Sequence, residues 1–258
     1  MDLWNAFVLG IVEGVTEFLP ISSTGHLVLT SQFLHLSQTE FLKSFEIAIQ
    51  LGAILSVVVL YWERLLVDFE VLKRVLAAFL PTAVIGFVLY KLIKKFLLGN
   101  TVVILAALFL GGVLLIVFEC LHKEKEDAID DLGAIPYKTA ILIGICQSLA
   151  VIPGVSRSAA TILGGMGLGL KRKTIVEFSF LLAVPTMLAA VALDLLKSYD
   201  TFAADQIGFL AVGFVSSFVV ALFSIKFLIS FIKDHSFIGF GVYRILAAVL
   251  FSFVIIRV

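Results

Sequence analysis

Six stretches of this chain stay apolar over roughly the 20 residues that a helix needs to cross hydrocarbon, and no other feature narrows its possible folds as far. They run at about 42–62, 75–95, 101–121, 175–196, 206–230 and 237–257, separated by charged connections such as WERLLVDFEVLKR, HKEKEDAIDDLGAIPYK and KSYDTFAADQ. A backbone in lipid must satisfy its own polar groups, so runs of this length are expected to span as α-helices. Composition agrees, because 61% hydrophobic and only 15% charged residues, with a mean hydropathy of +1.13, exclude an ordinary soluble domain. The zero net charge gives no sign of a nucleic-acid partner, and none is expected. Cys120 and Cys146 fall in apolar segments without metal-ligand spacing and read as buried thiols. The opening MDLWNAFVLG lacks a basic n-region and a small-residue cleavage site, so no cleaved signal peptide is expected.

Two further stretches, 3–35 and 138–169, are each interrupted by a proline and a small polar cluster, LPISSTGH and IPGVSRSAAT. Proline removes a backbone donor and clashes with the preceding turn, so each stretch should be two short helices joined by a polar bend. Re-entrant hairpins are the economical form. The two also match: Gly10, Ile11, Glu13, Ser22 and Thr24 align with Gly144, Ile145, Gln147, Ser156 and Ser158 at a constant offset of 134 residues. Each hairpin is followed by three candidate spans, and an odd number reverses the second unit. The expected architecture is therefore one all-α membrane domain over 1–258, six transmembrane helices plus two re-entrant hairpins. It divides into repeats 1–121 and 138–258 of inverted topology, which bring their broken helices together near the midplane.

The broken stretches concentrate the polar chemistry. Glu13 and Glu17, four apart, project from one helix face just before Pro20. Two carboxylates in a low-dielectric pocket either share a proton or hold a cation between them, and Mg²⁺ or Ca²⁺ would suit their oxygens. Ser22, Ser23 and Thr24 then offer hydroxyls at a helix start, where backbone N–H groups cradle anions and one hydroxyl serves as N-cap. His26 follows within a turn, with a side chain suited to proton transfer. In the second stretch Arg157 sits mid-hairpin, where insertion costs about 2.5–3.5 kcal/mol, so an anion should meet it. That anion is either a phosphate, gripped by the planar fork with Ser156, Ser158 and Thr161 alongside, or one of Glu13 and Glu17 in a structural ion pair.

With EGVTEFLPISSTGH and PGVSRSAAT side by side, the chain resembles the undecaprenyl-diphosphate phosphatase family of bacterial inner membranes, which confers bacitracin resistance. FEIAIQLGAI, EFSFLLAVP and GFGVYRILAA extend the likeness over nearly the whole length. The resemblance implies hydrolysis of undecaprenyl diphosphate to undecaprenyl phosphate and inorganic phosphate, recycling the carrier lipid for cell-wall synthesis. It makes Glu13 and Glu17 the acidic motif, Ser23 and His26 the bend residues nearest the chemistry, and Arg157 the phosphate clamp. Expected partners are the polyprenyl diphosphate lipid and the surrounding membrane lipid, with a homodimer left open. The phosphatidic-acid phosphatase pattern does not fit, because after Arg157 no histidine comes before His235.

A carrier or flippase for a lipid phosphate would use the same constellation without hydrolysis. If hydrolysis is the activity, Ser23 is the favoured nucleophile or water-aligning group, with His26 as its base, Ser22 and Thr24 holding phosphate oxygens, and direct attack by His26 as the rival. Orientation follows from basic residues. Arg64, Lys73, Arg74, Lys123, Lys125, Lys138, Lys171, Arg172, Lys173 and Lys233 fall on one side, outnumbering Lys43, Lys91, Lys94, Lys95, Lys197 and Arg257 on the other. The first side should be cytoplasmic, with the first hairpin and the site open to the periplasm.

Overall fold

The computed structural model describes residues 1–37, 39–96, 100–198 and 206–256. Most of the KSYDTFAADQ connection, Arg257, and the side chains of Lys91, Lys94, Lys95 and Lys197 lie outside the described residues. The regular elements are α-helices joined by turns and short connections: α1 (Leu3–Thr16), α2 (Ser23–Phe33), α3 (Glu40–Leu60), α4 (Trp62–Leu66), α5 (Phe69–Phe96), α6 (Thr101–Leu121), α7 (Tyr137–Ser148), α8 (Arg157–Gly167), α9 (Arg172–Ser198), α10 (Ile207–Asp234) and α11 (Ile238–Ile256). Helix starts follow capping chemistry, with the side chains of Asp2, Thr39 and Asn100 accepting from the first free N–H groups of α1, α3 and α6.

Among the described residues, five helices are long and apolar enough to cross a bilayer: Glu40–Leu60, Phe69–Leu89, Thr101–Leu121, Arg172–Leu193 and Ile207–Asp234. The run expected at 237–257 is helix α11, whose apolar part, Ile238–Phe253, is shorter than the others. Large apolar side chains such as Phe87, Phe223 and Phe253 are exposed on the outside of the bundle, the surface that lipid covers in a multi-pass membrane protein. Cys120 is exposed and Cys146 half-buried, which corrects the expectation of two buried thiols: an apolar helix surrounded by lipid has no need to turn its thiol inward.

Both interrupted stretches are pairs of short helices. In the first, α1 runs out at Thr16, Pro20 lies in the turn, and Ser22 adopts a left-handed φ of 73° before capping α2. In the second, α7 tightens into a 3₁₀ turn at Leu149–Val151, and Gly154 takes φ 91° before Ser156 caps α8. A side chain at Gly154 would bring its Cβ to 2.6 Å from Ile104 O, so glycine is required there for space as well as for φ.

Packing between the halves is crossed. Helix α1 lies against α10, and α7 lies against α5. Helix α3 meets both α10 and α9, α5 meets α9, and α6 meets α11. Close approach relies on small residues at matching positions. A Cβ at Gly10 would come 2.5 Å from Gly213 O, and one at Gly144 would collide with Ala78 O. The central apolar cluster joins Phe18, Leu19 and Ile21 of the first bend to Phe178, Phe180 and Leu181 of α9, so the bend is anchored in the core.

Candidate functional site

The two bends meet. Ser158 Oγ donates to Phe18 O at 2.8 Å, tying the start of α8 to the first bend. Arg157 Nη2 lies 3.3 Å from Glu17 Oε1, and Glu17 Oε2 accepts from Ser23 Oγ at 2.5 Å. The first residues of α2 (Ser23, Thr24) and of α8 (Arg157), with both N-caps, Ser22 and Ser156, line a cavity of about 180 Å³. Two helix N-termini, their hydroxyls and a guanidinium around one cavity are chemically matched to a multiply charged anion. Ala150, Val151, Val155 and Met187 give the same cavity an apolar wall, which suits an anion attached to a hydrocarbon chain.

Each hydroxyl has a defined place. Ser22 and Ser156 accept from Gly25 N (3.4 Å) and Ala159 N (3.1 Å), so both serve as N-caps. Thr24 is exposed to the cavity. Ser158 and Thr161 are buried away from it: Ser158 holds Phe18 O, and Thr161 Oγ1 donates to Arg157 O at 2.8 Å. They hold the machinery in place rather than facing the cavity. Arg157 Nη1 donates to Ser179 O at 2.8 Å, while its Nε is buried without a partner among the described residues.

His26 does not serve Ser23 in this structure. Its Nδ1 is 2.8 Å from Ser22 O and its Nε2 2.8 Å from the Tyr243 hydroxyl, with the two rings stacked. A carbonyl can only accept, so Nδ1 carries a proton, and in the neutral ring Nε2 accepts from Tyr243. The reason is helical geometry, because a side chain on α2 leans back toward the turn N-terminal to it, which brings residue 26 over residue 22. The carboxylate that the spacing argument assigned to the general neighbourhood is instead the direct partner of Ser23.

Glu13 is fully buried, and among the described residues neither carboxyl oxygen accepts a hydrogen bond, with the Glu17 carboxyl its acidic neighbour. Two bare oxygens one helical turn from Glu17 are a donor set that fits a hard divalent cation. Among the described residues no group of three His, Cys, Asp or Glu is gathered for a metal, so such an ion would draw its other ligands from hydroxyl, phosphate or water oxygens.

Several site residues escaped the sequence reading. Gln50, Thr82 and Thr186 line the cavity, and Gln147, the counterpart of Glu13, does so while donating to Thr82 Oγ1 (3.1 Å) and Thr186 Oγ1 (3.0 Å). The repeat offset marked Gln147, and FEIAIQLGAI, EFSFLLAVP and GFGVYRILAA contain Gln50, Ser179, Tyr243 and Arg244, but no spacing rule gave these residues a role.

Comparison with known proteins agrees over the full length. The sequence profile of the bacitracin resistance protein BacA family matches residues 6–250. An undecaprenyl-diphosphatase of Aquifex aeolicus (strain VF5) is 54% identical over 252 residues, covering 98% of this chain and 98% of that protein. The undecaprenyl-diphosphatase of Sulfurihydrogenibium sp. (strain YO3AOP1) is 53% identical over 97% of this chain and 98% of its own. For that of Wolinella succinogenes the identity is 48% over 98% of each chain. With cavity, bends and full-length similarity in agreement, the chain belongs to the bacitracin resistance protein BacA family.

Proposed function

We propose that this protein is a membrane phosphatase that hydrolyses undecaprenyl diphosphate to undecaprenyl phosphate and inorganic phosphate. The observation that carries the reading is Ser23 Oγ at 2.5 Å from a Glu17 oxygen, beside Arg157 and on the wall of an anion-sized cavity. A serine hydroxyl is a weak nucleophile until a neighbouring base takes its proton. Here Ser23 Oγ attacks the terminal phosphorus and its proton passes to Glu17. The bond from that phosphorus to the bridging oxygen breaks, and the lipid leaves as its monophosphate. Water then hydrolyses the phosphoserine, releasing inorganic phosphate and restoring the hydroxyl. Arg157 and the amides that open α2 and α8 stabilise the charge on the transferring group. Glu13 and Glu17 would hold a divalent cation, Mg²⁺ or Ca²⁺, which supplies charge neutralisation at the phosphate when bound.

The architecture behind the site is read as two inverted repeats, each a re-entrant hairpin and three spanning helices. Support comes from the crossed packing of α1 on α10 and α7 on α5. Thr82 and Ser216, again 134 residues apart, occupy matching positions in those contacts: Thr82 Oγ1 donates to Gly144 O at 2.9 Å, and the Ser216 hydroxyl stands against Gly10. The bacterial inner membrane is the expected location, with the first hairpin open to the periplasm.

The test is direct. Purified protein in detergent is incubated with farnesyl diphosphate and a divalent ion, and released phosphate is assayed. A loss of turnover on the order of 10²–10⁴-fold in Glu17→Gln is expected. Tight binding of the diphosphate without phosphate release would instead make the protein a lipid-phosphate carrier.

A further inference from the structure

We infer that Arg244, on α11, is the positioning residue that holds the two bends in register, and with them Ser23 and Arg157. The inference rests on the phosphatase reading of the cavity. Arg244 is 1% exposed, yet its hydrogen bonds run to main-chain carbonyls rather than to a carboxylate. Nη1 donates to Pro20 O at 3.2 Å and Nη2 to Gly154 O at 3.2 Å. Its other bonds reach α6, from Nε to Leu108 O at 3.2 Å and from Nη2 to Ala107 O at 3.0 Å.

The two bend acceptors are equivalent. Pro20 and Gly154 stand at the same 134-residue offset that relates the hairpins, each two residues before the N-cap serine of its second helix. One planar fork therefore takes the matching carbonyl from both bends and ties each to α6. Lysine, with a single ammonium on a flexible stem, cannot reproduce that span. The neighbouring Tyr243 adds a third hold through His26 on the first turn of α2. Room for the guanidinium comes from α6, where a Cβ at Gly111 would collide with Nη2 and stand 2.7 Å from Cζ.

This grip matters for chemistry because the attacking hydroxyl and the phosphate clamp come from different hairpins. Among the described residues, the direct polar links across the gap are the 3.3 Å Glu17–Arg157 pair and the Ser158–Phe18 bond. A misplacement of about 1 Å between reacting groups can cost on the order of 100-fold in rate. Arg244 touches neither substrate nor reacting atoms and acts through the backbone of both bends.

Two variants test this. Arg244→Lys removes the fork, and Gly111→Ala leaves the guanidinium intact while displacing it from behind. Phosphate release from farnesyl diphosphate is measured together with amide hydrogen exchange across 17–25 and 149–158. The expected result in both variants is a kcat lower by about tenfold or more, with KM within about twofold. Exchange should quicken at both bends while α3 and α9 keep their protection. Unchanged kcat, or quickened exchange spread evenly through α3 and α9, would assign Arg244 to general stability and overturn the proposal. A wild-type protein that releases no phosphate would sink the phosphatase reading instead, and exchange at the bends would still decide the role of Arg244.

Discussion

Glu17 and Arg157, 140 residues apart in sequence, meet at 3.3 Å across the two bends, and the second oxygen of the same carboxylate accepts from Ser23 at 2.5 Å. One side chain thus contacts both the hydroxyl expected to attack and the cation expected to bind phosphate. Both readings of Arg157 open at the level of sequence, carboxylate partner or phosphate clamp, meet in this arrangement. On the proposed mechanism an incoming phosphate would compete with Glu17 for the guanidinium, and the displaced carboxylate would be left to serve Ser23.

Arg157 directs Nη1 at Ser179 O and Nη2 at Glu17, while its Nε is buried without a partner among the described residues. Arg157→Lys keeps the charge but cannot serve these directions at once. It should fold normally and lose at least about tenfold in activity, roughly 1.4 kcal/mol of transition-state stabilisation. Near-normal turnover in that variant would reduce Arg157 to a counter-ion for Glu17.

Removal of divalent ions gives a second test, motivated by the two bare oxygens of Glu13. Chelation should abolish phosphate release, and added Mg²⁺ or Ca²⁺ should restore it. Glu13→Gln should raise the ion concentration needed for half-maximal activity by about tenfold or more, as expected when one of two carboxylate ligands is lost. Activity that survives exhaustive chelation would remove the ion from the proposal.

Much of the fold was legible because lipid imposes a simple rule: apolar runs of sufficient length become helices, and prolines inside polar clusters break them. The bends at Pro20 and Pro153 were readable in this way, as was the pairing of Ser22 with Ser156. Side-chain direction was not. That His26 meets Tyr243 while Ser23 meets Glu17 depends on the angle at which α2 leaves the bend, and spacing alone carries no such angle. Arg244 was equally hidden. A buried arginine near a helix end gives no local sign that its partners are carbonyls 224 and 90 residues away.

Orientation can be read with a single cysteine. Asp127 is exposed in the connection between α6 and α7, close to Lys123 and Lys125. In a background with Cys120→Ser and Cys146→Ala, Asp127→Cys should resist a membrane-impermeant maleimide in intact spheroplasts and react once the membrane is opened. Labelling in intact spheroplasts would place this connection in the periplasm and invert the proposed topology.

The last prediction separates nucleophile from support. Ser23 stands at the bend, where the opening amides of α2 can stabilise the equatorial oxygens of a transferring phosphoryl group, and Glu17 is its hydrogen-bonded base. His26 has both ring nitrogens engaged, one on the carbonyl of the strained Ser22 and one on Tyr243. Ser23→Ala should therefore abolish turnover, and Glu17→Gln should cost on the order of 10²–10⁴-fold, the range of a lost general base. His26→Ala should leave measurable activity, because the Ser23–Glu17 pair survives while the bend loses a brace. Tyr243→Phe should reproduce part of the His26→Ala loss, since the hydroxyl acts only through that ring. Trapping the intermediate completes the test: an acid-stable phosphoryl adduct, present in the wild type and missing from Ser23→Ala, is the expected product. An acid-labile adduct that persists in Ser23→Ala and vanishes in His26→Ala would make the histidine the nucleophile.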